Sequence, residues 1–117
     1  MNNETIALKW FAAFNEQHLE DLLNLYDDQA EHFSPKLKTR HPETNGLIKG
    51  KASLRAWWQD AFERLPDLHY EVIRLTSNTE RVFMEYIRQS PGASDMNIAE
   101  VLEIKNGLIV ASRVYHG

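Results

Sequence analysis

Cysteine is absent from the sequence, which excludes disulfide bonds, thiolate metal sites and cysteine nucleophiles. Apolar runs are also short, because no stretch reaches the roughly 20 residues of a membrane-spanning helix. Residues 1–4 have neither the basic region nor the apolar run of a signal peptide. The net charge of −4 leaves no broad basic face of the kind that binds nucleic acid. We therefore expect a cytoplasmic protein with no nucleic-acid partner and no membrane segment.

The length of 117 residues is typical of one domain, and two independent cores are not expected in so short a chain. Hydrophobic residues make up 43% of the sequence and charged residues 26%, a balance that favours a folded protein over a disordered one. We interpret residues 1–117 as a single domain.

Three segments have the spacing of amphipathic helices. Apolar residues recur at helical positions between residues 4 and 14, and again between residues 19 and 26. The third segment has the broadest apolar stripe, formed by Leu54, Trp57, Trp58, Ala61, Phe62 and Leu65. Pro66 follows this stripe and predicts the end of the third helix.

The period of the sequence changes from about 3.6 to about 2 after residue 68, which predicts strands. Four alternating runs follow, at residues 68–72, 82–87, 98–104 and 109–116. Asn106-Gly107 predicts a type I′ turn between the last two runs, and the other short connections extend this into an antiparallel meander. A further short strand at residues 30–34 precedes the third helix, so it has to join the sheet from outside the meander.

These elements predict an α+β fold in which three N-terminal helices pack on one face of a curved, mixed, mainly antiparallel sheet. A sheet that curls around the third helix can enclose a pocket, with residues 35–50 as a loop at its mouth. The segment 36–51 is basic, since five Lys and Arg residues face only Glu43. This segment could attract an anionic ligand, but we interpret it as a solvated rim.

Several motifs resemble those of SnoaL-like proteins, in the superfamily of nuclear transport factor 2 and ketosteroid isomerase. Residues 26–35, Tyr-Asp-Asp-Gln-Ala-Glu-His-Phe-Ser-Pro, resemble the Tyr-x-Asp-Asp-Ala-x-x-x-Ser-Pro passage of that family. Residues 46–50 are similar to its Gly-x-x-x-Gly entry into the third helix. Residues 65–68 are similar to its link into the sheet, and residues 99–109 to its last hairpin.

The resemblance implies a cystatin-like cone that commonly dimerises through the outer face of its sheet. It also implies a scaffold with many uses, because the superfamily includes isomerases, dehydratases, epoxide hydrolases, polyketide cyclases and non-catalytic binders. Ketosteroid isomerases place a general-base aspartate where this sequence has Ser34. Some cyclases carry an aspartate near the last strand, whereas residues 113–116 contain none. We therefore predict neither the ketosteroid isomerase activity nor the activity of those cyclases for this chain.

The predicted proton-transfer groups are His32 and Glu100. His32 shares a strand face with Ser34, and the resemblance places that face in the pocket. Its pKa lies near 6.5 when unperturbed, so it can exchange a proton near neutral pH, although a purely structural histidine is the alternative. Glu100 shares a face with Leu102 and Ile104, where desolvation would raise its affinity for a proton unless it is simply solvated near a strand end.

Tyr86 and Tyr115 are candidates for stabilising negative charge on an oxygen atom, or else are amphipathic core residues. In the last strand, alternation leaves open whether Arg113 and Tyr115 or Ser112 and His116 face inward. The complete set of predicted pocket-lining residues is Ser34, Trp57, Trp58, Met84, Leu102, Arg113 and His116.

Neither a metal nor a cofactor is expected. The histidines show no paired ligand spacing, and the sequence has neither a glycine-rich phosphate loop nor a nucleophile elbow. The first functional hypothesis is a cofactor-independent acid–base enzyme, an isomerase, lyase or polyketide-cyclase-like protein, acting on an apolar carbonyl compound. The alternative is a non-catalytic ligand-binding or dimerisation module.

The expected partners are a small apolar or aromatic ligand and a second copy of the chain. Ile73, Phe83 and Ile87 alternate away from the helix-covered face, which leaves the outer side of the sheet apolar. We therefore expect a homodimer that forms through this outer face.

Overall fold

Four α-helices and six strands form residues 2–116, the part of the chain that the computed structural model describes. The helices are α1 (Asn3–Asn15), α2 (Leu19–Leu23), α3 (Pro35–Arg40) and α4 (Lys51–Arg64). The strands are β1 (Tyr26–Phe33), β2 (Leu47–Lys49), β3 (His69–Ser77), β4 (Arg81–Gln89), β5 (Met96–Lys105) and β6 (Leu108–His116). The mixed α+β class predicted from the sequence is confirmed.

Helix α1 begins where the side chain of Asn2 accepts a hydrogen bond from the Thr5 backbone N–H at 2.9 Å. Its buried face carries Trp10 and Phe14 into the core. Helix α4 buries Leu54, Trp58, Ala61 and Phe62, most of the predicted apolar stripe, and it ends one residue before Leu65. Both helices therefore follow the hydrophobic periodicity of the sequence.

The predicted loop at residues 35–50 instead contains α3, a short 3-10 helix (Pro42–Thr44) and β2. Ser34 is the N-cap of α3, because its Oγ accepts a hydrogen bond from the Lys36 backbone N–H at 3.2 Å. Pro35 occupies the first turn, where the missing N–H of proline costs no hydrogen bond. The expectation of three helices before the sheet is thus replaced by four helices, interrupted by β1 and β2.

The strands form one open sheet in the order β2-β1-β6-β5-β4-β3. All neighbours are antiparallel except β1 and β6, which run parallel. Asn106 and Gly107 have φ of 54° and 80°, as the predicted type I′ turn requires. The prediction of a mixed, mainly antiparallel sheet is therefore confirmed, but two strands, β1 and β2, join it from outside the meander instead of the one predicted.

The helices cover one face of the sheet, and the core lies between them. On β6, Ser112 and Val114 point into this core, whereas Arg113 and Tyr115 lie on the outer side. The two alternatives for the last strand are resolved in favour of the register that turns Ser112 inward. In residues 2–116, no helix combines the length and the apolar character of a membrane span.

Candidate functional site

A cavity of about 480 Å³ opens between the helices and the inner face of the sheet. Its walls are largely aromatic, with Trp10, Phe14, Trp57, Trp58, Tyr70 and Tyr86 among the lining side chains. Several of these rings pack on one another, for example Tyr70 and Tyr86 with centroids 4.4 Å apart. A cavity of this size and composition suits a small, flat, apolar ligand.

The cavity has a buried floor and an exposed mouth. His32 and Glu100 lie at the floor, with 3% and 2% of their surface accessible. Lys36, Arg40 and Arg64 also line the cavity but are partly or fully exposed, so they mark its opening. A ligand that enters past these cations would reach the two titratable groups at the far end.

Strand pairing brings His32 and Glu100 to the same face. His32 of β1 pairs with Ser112 of β6, and Glu100 of β5 pairs with Val114, two residues further along β6. One strand therefore lies between the two side chains, which separates their Cα atoms by roughly 10 Å or more. Within residues 2–116, no hydrogen bond joins His32 to Glu100, and both side chains line the cavity.

Glu100 has one free carboxylate oxygen. Its Oε1 accepts a hydrogen bond from the Tyr86 hydroxyl at 2.8 Å. Its Oε2 is the one buried side-chain nitrogen or oxygen without a partner in residues 2–116. Burial raises the pKa of Glu100 from 4.5 to about 7, although the Tyr86 hydroxyl acts in the opposite direction. Near neutral pH this carboxyl group can therefore both accept and return a proton.

A chain of hydrogen bonds fixes the protonation of His32. Trp10 Nε1 donates to the Tyr26 hydroxyl at 3.1 Å, and an indole nitrogen cannot accept a hydrogen bond in return. The Tyr26 hydroxyl in turn donates to Ser112 Oγ, at 3.1 Å. The Ser112 hydroxyl is left to donate to His32 Nδ1, at 2.7 Å. In the tautomer that completes this chain, Nδ1 accepts and the neutral ring carries its proton on Nε2.

His32 is a neutral donor rather than a cation. Burial lowers the pKa of His32 from 6.5 to about 4, so the ring is uncharged at neutral pH. Ser112 occupies Nδ1, which leaves Nε2–H for a ligand in the cavity that His32 lines. The group that we predicted to transfer a proton is thus better suited to donate a hydrogen bond to an oxygen atom.

Most of the predicted site residues meet in this cavity. His32, Glu100, Tyr86, Ser34, Trp57, Trp58 and His116 all line it. Tyr86 differs from its predicted role, because its hydroxyl donates to Glu100 and is not free for a ligand oxygen.

Four predicted residues lie elsewhere. Tyr115 is 49% exposed on the outer side of the sheet, because the register of β6 turns it away from the core. Arg113 shares that side and donates to Glu103 at 2.5 Å. Met84 and Leu102 share the inner face with Glu100 but are fully buried in the core and do not line the cavity.

Sequence patterns did not identify the residues that support His32 or those that extend the mouth. Tyr26 and Ser112 are 86 residues apart in sequence, and only the parallel pairing of β1 with β6 brings them together. Arg64 and Arg88 line the cavity from α4 and β4, outside the basic segment 36–51. The pattern of residues in the sequence does not predict the hydrogen-bond chain, because the chain depends on the pairing of distant strands. Knowledge of which β6 side chains face inward would, however, have placed Ser112 on the inner face.

Metal ligation has no support in the described chain. Residues 2–116 contain no group of three or more His, Asp or Glu side chains placed to hold a metal ion. The polar groups at the cavity floor are instead one carboxyl and one imidazole, on separate strands.

Comparison with known families identifies the scaffold. The sequence model of the SnoaL-like domain matches residues 7–112, nearly the whole chain. No protein of curated function matches the sequence.

Three solved structures illustrate the similarity. A SnoaL-like protein of unknown function from Burkholderia thailandensis is 25% identical, with a TM-score of 0.88 over 98% of this chain and 93% of that chain. An NTF2-like protein from Anabaena variabilis is 20% identical, with a TM-score of 0.79 over 99% of this chain and 90% of that one. A protein with a ketosteroid isomerase-like fold from Catenulispora acidiphila, in complex with trimethylamine, is 16% identical, with a TM-score of 0.74 over 94% and 83%.

Proposed function

Because this chain belongs to the SnoaL-like domain family of the nuclear transport factor 2 superfamily, we propose that it is a cofactor-independent acid–base enzyme acting on a small apolar carbonyl compound. The observation that carries the proposal is Glu100 Oε2, a buried oxygen without a partner, on a residue that lines an aromatic cavity. A buried polar atom without a partner is costly, and a ligand that supplies the missing partner removes that cost.

Each group at the floor has a distinct role in this proposal. Ionised Glu100 removes a proton from the carbon next to the carbonyl group, and Tyr86 holds the carboxylate in place through Oε1. Negative charge then develops on the carbonyl oxygen, where His32 Nε2–H stabilises it. Protonated Glu100 returns the proton to another carbon, which completes an isomerisation, or to a departing oxygen, which completes an elimination.

The aromatic walls select the substrate class. Trp58 packs against both Tyr26 and His32, with ring centroids 5.0 Å and 5.2 Å apart, so a flat surface reaches the floor. Ring systems and conjugated carbonyl compounds stack well on such walls. The neighbour solved with trimethylamine supports small-molecule binding on this fold.

A Kemp elimination tests the proposal without knowledge of the natural substrate. Nitrobenzisoxazole is flat and aromatic, and a base that removes its carbon-bound proton breaks the N–O bond and releases a coloured cyanophenolate. We expect turnover that rises with pH through an apparent pKa of about 7, the value for Glu100. Glu100→Gln should lower kcat/KM by about 100-fold or more, because a general base contributes at least that factor.

Glu103→Gln is the matched control, because it makes the same change on the same strand outside the cavity. Its turnover should equal that of the unchanged protein. Equal activity of Glu100→Gln and the unchanged protein would rule out Glu100 as the base.

The alternative is a non-catalytic binder with the same cavity. The observation in its favour is Ser34, because the position of the isomerase base here holds a helix N-cap rather than a carboxylate. Nitrobenzisoxazole that binds in the cavity without being converted at any pH would favour this alternative.

We also propose an oligomeric state, a localisation and a domain organisation for the protein. We propose a homodimer formed through the outer face of the sheet, where Ile73 and Phe83 are exposed. Cytoplasmic localisation and a single domain over residues 1–117 belong to the same proposal.

A further inference from the structure

The mouth of the cavity is strongly cationic. Lys36, Arg40, Arg64 and Arg88 line the cavity together, whereas Glu100 at the floor is the one acidic lining residue in the described chain. This contrasts with the whole sequence, in which 17 acidic residues outnumber 13 Lys and Arg residues. The four cations come from α3, α4 and β4, so the fold collects them at the opening from separate segments.

Two of these cations share one counter-ion. Asp60 accepts a hydrogen bond from Arg64 Nε at 2.8 Å, and Arg40 Nη2 lies 3.8 Å from the same Asp60 oxygen. Lys36 and Arg88 have no carboxylate within 4.0 Å in residues 2–116. Positive charge at the mouth is therefore only partly balanced.

The electrostatics of Lys36 agree with this geometry. Partial burial lowers its pKa from 10.5, and repulsion from Arg88 and Arg64 acts in the same direction. Partial burial also lowers the pKa of His116, which lines the cavity too, and repulsion from Lys36 and Arg88 acts in the same direction. An anion bound among these groups would relieve their mutual repulsion.

The two ends of the cavity are electrostatically separate. Burial and the Tyr86 hydroxyl account for the pKa of Glu100, and no mouth cation contributes to it. The cavity thus has an acid–base floor, aromatic walls and a cationic mouth. A ligand that matches all three has a reactive group at one end, an apolar body and a negative group at the other.

We propose that the substrate is an amphiphilic anion whose carboxylate or phosphate group binds Lys36 and Arg88 at the mouth while its apolar body fills the cavity. This inference rests on the proposed function and adds the substrate class. The anion fixes the direction of entry, so the opposite end of the molecule reaches Glu100 and His32.

Isothermal titration with matched naphthalene ligands tests this inference. The probes are naphthoate, its neutral isostere naphthamide, and naphthyl phosphate. We expect naphthoate to bind about 25-fold more tightly than naphthamide, since each of the two partly buried cations contributes about 5-fold to the affinity through an ion pair. Raising the salt concentration from about 20 mM to about 300 mM should weaken the binding of the two anionic probes and leave naphthamide binding unchanged, because salt screens interactions between charges.

Lys36→Gln and Arg88→Gln should each lower naphthoate affinity by about 5-fold and leave naphthamide affinity unchanged. Lys38→Gln is the control, because it removes the same charge from the same helix at an exposed residue outside the cavity. Naphthamide binding also shows that each variant is folded. A preference for naphthyl phosphate or for naphthoate assigns the natural anion as a phosphate or as a carboxylate.

Equal binding of naphthoate and naphthamide, unaffected by either variant, would overturn the anion inference and leave the proposed function intact. A lack of binding by all three probes would also overturn the anion inference, and a simultaneous lack of Kemp turnover would overturn the proposed function as well. Loss of Kemp turnover in Glu100→Gln with unchanged naphthoate binding supports separate floor and mouth roles.

Discussion

At the scale of single residues, burial shifts the two titratable groups of the cavity floor in directions that keep both uncharged. Glu100 retains its proton up to a pKa of about 7, and His32 stays neutral down to a pKa of about 4. The cause is the same in both cases, since an apolar interior disfavours any charge. Above about pH 4 the cavity floor therefore becomes charged only when Glu100 ionises, and this ionised state is the one that can remove a proton.

Glu100 should make the protein less stable as pH rises. Its pKa is raised in the folded state, so the folded protein holds more protons than the unfolded chain between about pH 4.5 and about pH 7. Across that window the free energy of unfolding should fall by about 3 kcal/mol because of this group. Urea unfolding of the unchanged protein and of Glu100→Gln at about pH 4 and about pH 8 measures this difference.

Glu103→Gln provides a control of opposite sign. The hydrogen bond from Arg113 lowers the pKa of Glu103, so its contribution to stability is present at neutral pH and is lost as pH falls. Glu100→Gln and Glu103→Gln should therefore change the pH dependence of the free energy of unfolding in opposite directions. Parallel profiles for Glu100→Gln and the unchanged protein would contradict a buried, perturbed Glu100.

At the scale of elements, α3 and β2 position the mouth. The short helix carries Lys36 and Arg40 to the opening, and β2 pairs with β1 to hold the segment against the sheet. Gly46 lies between them with φ of 86°, and a Cβ atom there would lie 2.8 Å from the Phe33 ring. The connection therefore needs glycine for its backbone conformation and also for space.

Gly46→Ala should destabilise the protein more than Gly92→Ala. Both residues have positive φ, but nothing lies within 4 Å of a Cβ atom at Gly92. We expect a loss of about 1 kcal/mol at Gly92, from backbone strain alone, and roughly 2–4 kcal/mol at Gly46, where a clash with the Phe33 ring is added. Urea denaturation measures both values. Equal losses would show that the Phe33 contact is relieved without cost.

Sequence patterns predicted the secondary-structure elements well, but they did not predict which inward-facing side chains line the cavity and which are buried in the core. The stripe on α4 and the Asn106-Gly107 turn are local signals, so both were found. Ser34-Pro35 is also a local signal, a helix start, but residues 35–50 were predicted as a long loop at the mouth of the pocket. Met84 and Leu102 share a face with Glu100, and alternation cannot tell which side chains on a face reach a cavity.

At the scale of the whole molecule, the two faces of the sheet differ in what covers them. The helices cover the inner face, whereas Ile73, Phe83 and Tyr115 are 53%, 39% and 49% exposed. An apolar surface of this kind on the outer face fits the proposed contact with a second copy.

Phe83→Lys should convert the proposed dimer into a monomer, because a charge on each copy would be buried in an apolar contact. Sedimentation equilibrium should give twice the 13.6 kDa mass of the chain for the unchanged protein and the single mass for the variant. Leu8→Lys is the control, since Leu8 is 52% exposed on α1, and it should leave the mass unchanged. A monomer at micromolar concentration before any substitution would contradict the dimer.

The central position of β6 has a consequence for biosynthesis. This strand is the last one to leave the ribosome, yet it lies between β1 and β5 and supplies Ser112 to a histidine 80 residues earlier. Long-range pairings of this kind form late in folding. The nascent chain must therefore hold β1 and its helices without their central partner, and His32 gains its hydrogen-bond partner only after β6 has been synthesised.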